Sequence, residues 1–164
     1  MEQILRLNLD KNRAKPTIQI IPQNEVVKCL IDSGADIPVW CSTETLLKSQ
    51  FKVKKLHEKT YIGGFGGKGA YHDVYSIDTF MLTDGDNILT IHNLLVAFIP
   101  NVSFACDLIL SATVFYKKTD YAVNTRGNKR YIELKYDKGE YIALAKYNEG
   151  KIDSIYIAAT SDEI

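Results

Sequence analysis

The 164 residues carry 20 basic and 20 acidic side chains and are 46% hydrophobic, enough to bury about two thirds of the unfolded surface around one core; the even charge balance argues against nucleic acid or an anionic membrane as main partner, since both recruit a basic face. No run approaches the ~20 apolar residues of a membrane span, and MEQILRLNLD lacks the basic-then-apolar order of a secretory signal. The three cysteines, Cys29, Cys41 and Cys106, show no paired spacing, so the expectation is a cytoplasmic chain whose thiols are small buried hydrophobes.

Residues 3 to 9 alternate, with Leu5, Leu7 and Leu9 on one face, and predict a half-buried strand. Further strands are expected over 17–21 and 25–31. Ser42 is a plausible N-cap for a short helix over 43–48. Residues 51–53 and 60–62 read as extended, on either side of the charged run KVKKLHEK (52–59), expected as a solvated loop. The glycine-rich YIGGFGGKGAY (61–71) precedes a long strand over 71–82 and the turn TDGDN (83–87). Strands are expected over 88–91 and 93–98, then a turn at Pro100-Asn101, an apolar run CDLIL (106–110), and a helical turn capped by Ser111. A hairpin (121–123 with 130–136) and two strands (141–147 and 151–158) complete the chain. Many short strands and little helix predict an all-β barrel or sandwich.

Five glycines fall within Gly63 to Gly69. Gly64 to Gly69 satisfies GxGxxG, but a dinucleotide loop needs a helix behind it to aim N–H groups at phosphate. YHDVYSIDTFML follows instead, rich in β-branched and aromatic residues. The Walker spacing also fails. A flexible hairpin tip remains, as does a mobile flap whose glycine backbone approaches a ligand closely while Phe65 excludes water.

The stretch CLIDSGAD (29–36) carries an apolar strand into an acid. Asp-Ser-Gly is a common turn composition. Here, however, the strand before it is apolar on both faces apart from Lys28, and Ala35 and Ile37 follow, so Asp32 emerges from a core.

At these residues the chain resembles the retropepsin-like aspartic proteases. LIDSGAD is similar to their active-site signature, YIGGFGG resembles the retroviral flap, and CDLILSATVF resembles a third landmark, an apolar run followed by glycine and a short helix. The three occur in the family's order, within about residues 20–125. The resemblance implies a closed acid-protease barrel of the retropepsin type, with one or two short helices. A C-terminal β extension over about 130–160 would complete a single domain spanning 1–164. It also implies an aspartic endopeptidase without metal or cofactor, acting on polypeptide. Two carboxylates about 3 Å apart share one proton in such sites. This chain has one D-[ST]-G, so the second carboxylate would come from a second copy, in a homodimer with its two-fold axis between the Asp32 residues.

By the same resemblance Asp32 is the catalytic acid/base. Ser33, Gly34 and Ala35 support the loop: Ser33 bonds across the two-fold, and Gly34 leaves space for water. Asp36 binds substrate main chain. Gly63, Gly64, Phe65, Gly66 and Gly67 form the flap, with substrate lying extended beneath it as an added strand. The chain departs from the pattern twice. Ser111 stands where the family has glycine, and Ala112 where many retroviral members carry an arginine that supports the second acid of the signature. Asp36 would then need another partner, with Arg6 one candidate. These departures keep open a catalytically weak peptide-binding or scaffolding module. The N-terminal strand or the tail could tie a dimer as interleaved strands; the alternative is a tail that packs on its own barrel. His57, His72 and His92 match no metal-ligand spacing, Cys41 and Cys106 sit in no Cys-His motif, and Trp40 is expected in the core or a pocket wall.

Overall fold

Alternation in sequence becomes alternation in space: in β1 (Glu2–Asn8), Leu5 and Leu7 are buried while Arg6 and Asn8 face outward. The structure, a computed structural model, describes residues 1–11, 15–32, 36–63, 69–100, 106–111, 119–124, 127 and 129–160. The expected helix over 112–118 lies outside them, as does the turn at Asn101.

β2 (Thr17–Ile20) pairs antiparallel with β3 (Val27–Asp32). β3 has no exposed face: Val27, Cys29, Leu30 and Ile31 are all buried. After β4 (Val39–Trp40) comes α1 (Glu44–Gln50). Its N-cap is Thr43, one residue beyond the Ser42 expected. The Thr43 side chain accepts from the Leu46 N–H at 3.1 Å, and its carbonyl accepts from Trp40 Nε1 at 2.9 Å. The helix runs two residues past Lys48 because the buried Gln50 side chain has work outside it: Oε1 accepts from the N–H groups of Gln23, Asn24 and Glu25.

The run KVKKLHEK is not a loop. It belongs to β5 (Val53–Ile62), laddered antiparallel to β6 (Ala70–Thr83), with a register shift between Lys55 and Lys59. Lys54, Lys55, His57 and Lys59 are solvated as their charge requires, but solvation of side chains leaves the backbone able to pair. Lys55 and Lys59 both approach Asp73 across the shift, at 3.4 and 3.7 Å. β7 (Ile88–Phe98) is likewise one strand rather than two. The interruption read near Asn93 is a left-handed residue (φ 54°), which asparagine tolerates, set within an unbroken β6–β7 register.

β8 (Leu108–Ser111), β9 (Thr119–Asn124), β10 (Tyr131–Asp137), β11 (Glu140–Asn148) and β12 (Lys151–Ala159) follow. The main sheet runs β11-β12-β5-β6-β7-β4-β8-β3-β2, and β11 returns to pair with β7. Those first five strands therefore close into a barrel. Its core includes Val74, Ile77, Phe80, Leu89, Ile91, Tyr141, Ile152 and Ile155. A second sheet, β1-β10-β9, carries Leu5, Ile132 and Leu134 into the same core.

The terminal strands pair within the chain. β11 and β12 pair with each other along their length, and each also meets a second strand over part of its length: β11 meets β7 over Glu140–Ile142, and β12 meets β5 at Ile152. β1 pairs with β10 over its whole length, and the β6–β7 turn meets its outer edge: the Arg6 N–H donates to Asp84 Oδ2 at 3.1 Å and Asn87 Nδ2 to the Ile4 carbonyl at 2.8 Å. The last two strands therefore pack on their own barrel. β11 and β12 meet in a two-residue turn, Glu149-Gly150, with positive φ at both positions (53° and 76°), the geometry that fits strand twist.

Candidate active site

β3 and β4 flank β8 on opposite sides. β3 runs parallel to β8, from Cys29 opposite Leu108 to Asp32 opposite Ser111, and β4 runs antiparallel to it, with Val39 opposite Ile109 and Trp40 opposite Leu108. The chain thus leaves β3 at Asp32, crosses the end of β8, and returns on its far side. A strand threaded between the legs of its own loop holds that loop by two ladders at once.

The threading explains how an acid ends a buried strand. Leu108, Ile109 and Leu110 are each no more than 1% exposed, so three registers of dry packing lead to the Asp32–Ser111 pair. Asp32 itself is half-buried, and Ser111 is fully buried. On the return leg Ile37 is buried, the Pro38 carbonyl accepts from the Ala97 N–H, and the Trp40 carbonyl accepts from the Ile99 N–H, both at 2.9 Å. Trp40 is fully buried, edge-on to Phe51. Asp36 is exposed. Arg6 is committed elsewhere: its guanidinium meets Glu133 at 2.7 Å and lies over the Tyr131 ring. Ser33, Gly34 and Ala35 lie outside the described residues.

The opposite end of the threaded loop is anchored by Asp107. Its Oδ2 accepts from the Lys28 N–H and its own N–H donates to the Lys28 carbonyl, each at 2.9 Å; its carbonyl accepts from the Cys41 N–H at 2.7 Å. The three cysteines gather here. Burial, reinforced by Asp107 and Cys106, pushes the Cys29 thiol far up, and a hydrogen bond with Cys106 plus burial does the same to Cys41.

The glycine-rich stretch tips the β5–β6 hairpin. Pairing persists to Ile62 opposite Ala70, and Gly63 and Gly69 continue from there; Gly64, Phe65, Gly66 and Gly67 lie outside the described residues. Below the tip Tyr61 and Tyr71 stand directly opposite, ring centroids 5.2 Å apart. A Cβ on Gly69 would meet the outer end of the exposed Tyr61 ring, so a larger residue there would push that ring aside. Lys151, from the β11–β12 turn, donates to the Tyr71 hydroxyl at 2.9 Å with its ammonium 4.4 Å from the ring centre. One residue along, the buried Thr60 hydroxyl donates to the Ile152 carbonyl at 2.8 Å. The C-terminal hairpin therefore grips the base of the glycine hairpin. Sequence reading missed this brace, although the tyrosines that bracket YIGGFGGKGAY mark its place. It also missed that Ser111 stands in register with Asp32.

His92 Nε2 lies 3.2 Å from Glu140 Oε1, across the parallel β7–β11 pairing. Among the described residues no helix is long and apolar enough to cross a membrane.

No family model matches the sequence, and no curated protein matches it. Among solved structures, the chain is similar to a retropepsin-like aspartic protease from Rickettsia conorii, with 12% identity, a TM-score of 0.51, and coverage of 83% of this chain and 92% of that one. The likeness spans nearly the whole of both chains and lies in the backbone rather than the sequence: the fold of this protein is the retropepsin-like one.

Proposed function

We propose that this chain is an aspartic endopeptidase of retropepsin type, active as a homodimer, in which one Asp32 from each copy forms the catalytic pair. The observation that carries the reading is the position of Asp32: the last residue of a fully packed strand, at the lip of a threaded loop, in a chain that supplies one D-S-G. In the dimer the two carboxylates share one proton, since like charges so close cannot both ionise, and the pair titrates as a unit. The ionised member takes a proton from water as that water attacks the scissile carbonyl; the protonated member gives its proton to the carbonyl oxygen. In this reading Ser33 ties the two loops together, Gly34 admits the water, and Ala35 supports the loop. Asp36, which is exposed, holds substrate main chain.

The β5–β6 hairpin is the flap in this reading. Gly63 to Gly67 close over an extended polypeptide, and Phe65 seals the reacting bond from water. Dimer contacts come from the surfaces around the Asp32 loop. The chain works as one domain in the cytoplasm, without metal or cofactor.

The test is cleavage of a mixed peptide library by the purified protein, with and without pepstatin. Asp32→Asn lowers kcat by roughly 10³-fold and leaves the circular dichroism spectrum unchanged; cleavage by the variant at the parental rate refutes the assignment. A second reading, a peptide-binding module with little turnover, is favoured by the buried Ser111 beside Asp32. It predicts saturable peptide binding without cleavage by either protein.

A further inference from the structure

The main sheet ends on β2, and the strand edge there is open. Lys28 turns its N–H and its carbonyl toward Asp107, on the β8 side of β3. Gln19 stands opposite Lys28, so β2 and β3 exchange no hydrogen bond at that pair, and the Gln19 N–H and carbonyl face away from the sheet. Asp10 covers only the start of this edge, donating its N–H to the Thr17 carbonyl at 2.7 Å. Among the described residues the Gln19 main chain meets no partner.

A groove of about 530 Å³ lies beside the edge, lined by residues 19–23 and by Asp78, Thr79 and Met81 of β6. Both linings are held in place. Gln50 Oε1 takes the N–H groups of Gln23, Asn24 and Glu25, and the Asp78 N–H donates to the Lys52 carbonyl at 2.9 Å. Two apolar side chains of the lining stand open to solvent, Ile21 at 66% and Met81 at 52% exposed.

We propose that this edge and groove dock an extended segment of another polypeptide, which adds to the sheet as a strand beyond β2. The outward N–H and carbonyl of Gln19 call for a carbonyl and an N–H side by side, and an extended backbone supplies them together. Ile21 and Met81 call for apolar side chains on one face of the segment, hence at alternate positions. Lys52 and Asp78 bring opposite charges to the groove, which suits a segment of no net charge. The size favours a single segment over a second copy of this chain: a four-residue edge and one groove fall short of the roughly 1,200–2,000 Å² that a stable protein–protein interface buries. The shortness of β2, with Pro22 just beyond it, limits the pairing to that one segment.

The site lies apart from the proposed catalytic loop and does not rest on that reading. Ile20 pairs with Val27, which is roughly 17 Å along β3 from Asp32 at the rise of an extended strand.

The test follows the amide spectrum of the full chain by NMR as a capped six-residue peptide of alternating valine and threonine is added. The same peptide N-methylated at every amide serves as control, since it keeps the side chains and lacks the main-chain donors. The expected result is saturable shifts centred on Gln19, Ile21 and Met81, with binding of the N-methylated peptide weaker by roughly tenfold or more. Gln19→Pro removes the outward N–H while leaving the ladder to β3 intact, as an edge position tolerates. Met81→Lys places a charge at the apolar contact and, being at an exposed position, leaves the thermal midpoint unchanged. Each weakens binding by roughly tenfold. The proposal is overturned if millimolar peptide shifts nothing at the β2 edge, if the N-methylated peptide binds equally well, or if the shifts gather at Asp32 and the β5–β6 hairpin instead. That last outcome is binding in the cleft and leaves the protease reading standing. Shifts at Gln19 that follow protein concentration and not peptide would make the edge a contact between copies and overturn it as well.

Discussion

The threaded loop at Asp32 and the glycine-tipped β5–β6 hairpin differ in how they are held. β3 is buried along almost its whole length and β8 along all of it, with a ladder on each side. β5 has only Thr60 buried, and the hairpin owes its support near the tip to one aromatic pair and a brace from the C-terminal turn. In the proposed reading, the acid to be aimed is mounted in the core, and the flap is hung on a less buried hairpin, as moving segments are. Defects in the two regions should therefore read out differently, the first in stability and activity together, the second in activity with little change in stability.

Leu110→Ala should show the largest effect on the first region. Leu110 is fully buried one residue before the Asp32–Ser111 pair, and its truncation costs about 2–5 kcal/mol. Urea denaturation should show that loss; a change under 1 kcal/mol would mean that the threaded strand is not the mount. Phe65→Ala tests the second region. It should lower kcat/KM about tenfold, the size of a lost apolar contact near ~1.4 kcal/mol, with an unchanged denaturation midpoint. Equal losses in both measurements would erase the contrast.

Thr60→Val removes the buried hydroxyl that donates to Ile152 while conserving shape. About 1–2 kcal/mol should be lost, with faster amide exchange at Ile62 and Ala70 than at Ile31. Uniform exchange would show that the brace does not distinguish the hairpin from the core.

The smallest effect concerns acid. Slight desolvation works against the charge of the exposed Asp84, but N–H bonds from Asn87, Arg6 and Asp86 together outweigh it and hold the carboxyl below the ordinary range. Its charged form stabilises the fold, so the contribution is complete above the usual carboxylate pKa and disappears as pH falls through the depressed value. Asp84→Asn should flatten the decline of thermal midpoint on acidification, leaving the midpoint near neutral pH slightly lower. An unchanged acid limb would remove Asp84 from the account.

Much of the site was legible in the one-dimensional pattern. An apolar run ending in Asp-Ser-Gly locates a turn at the edge of a core, and glycines between two strand-forming stretches locate a hairpin tip, because both signals are local. Strand patterning gave a barrel or sandwich, and the resemblance in the motifs gave the closed barrel, but not which strands close it. Charge in KVKKLHEK correctly gave solvated side chains but hid a strand, since backbone pairing depends on β6 rather than on the run itself. Arg6 looked available to Asp36, yet Glu133 lies 127 positions away in sequence and beside it in space.

The sequence alone determined the strands, their buried faces and the acid at the end of one of them, through side-chain alternation and turn chemistry that act over a few residues. Tertiary structure alone decided that β8 threads the Asp32 loop, that Ser111 stands opposite the acid, and that the last two strands close the barrel. Each of those is a pairing across tens of residues, set by which edges and apolar faces satisfy one another once the core assembles.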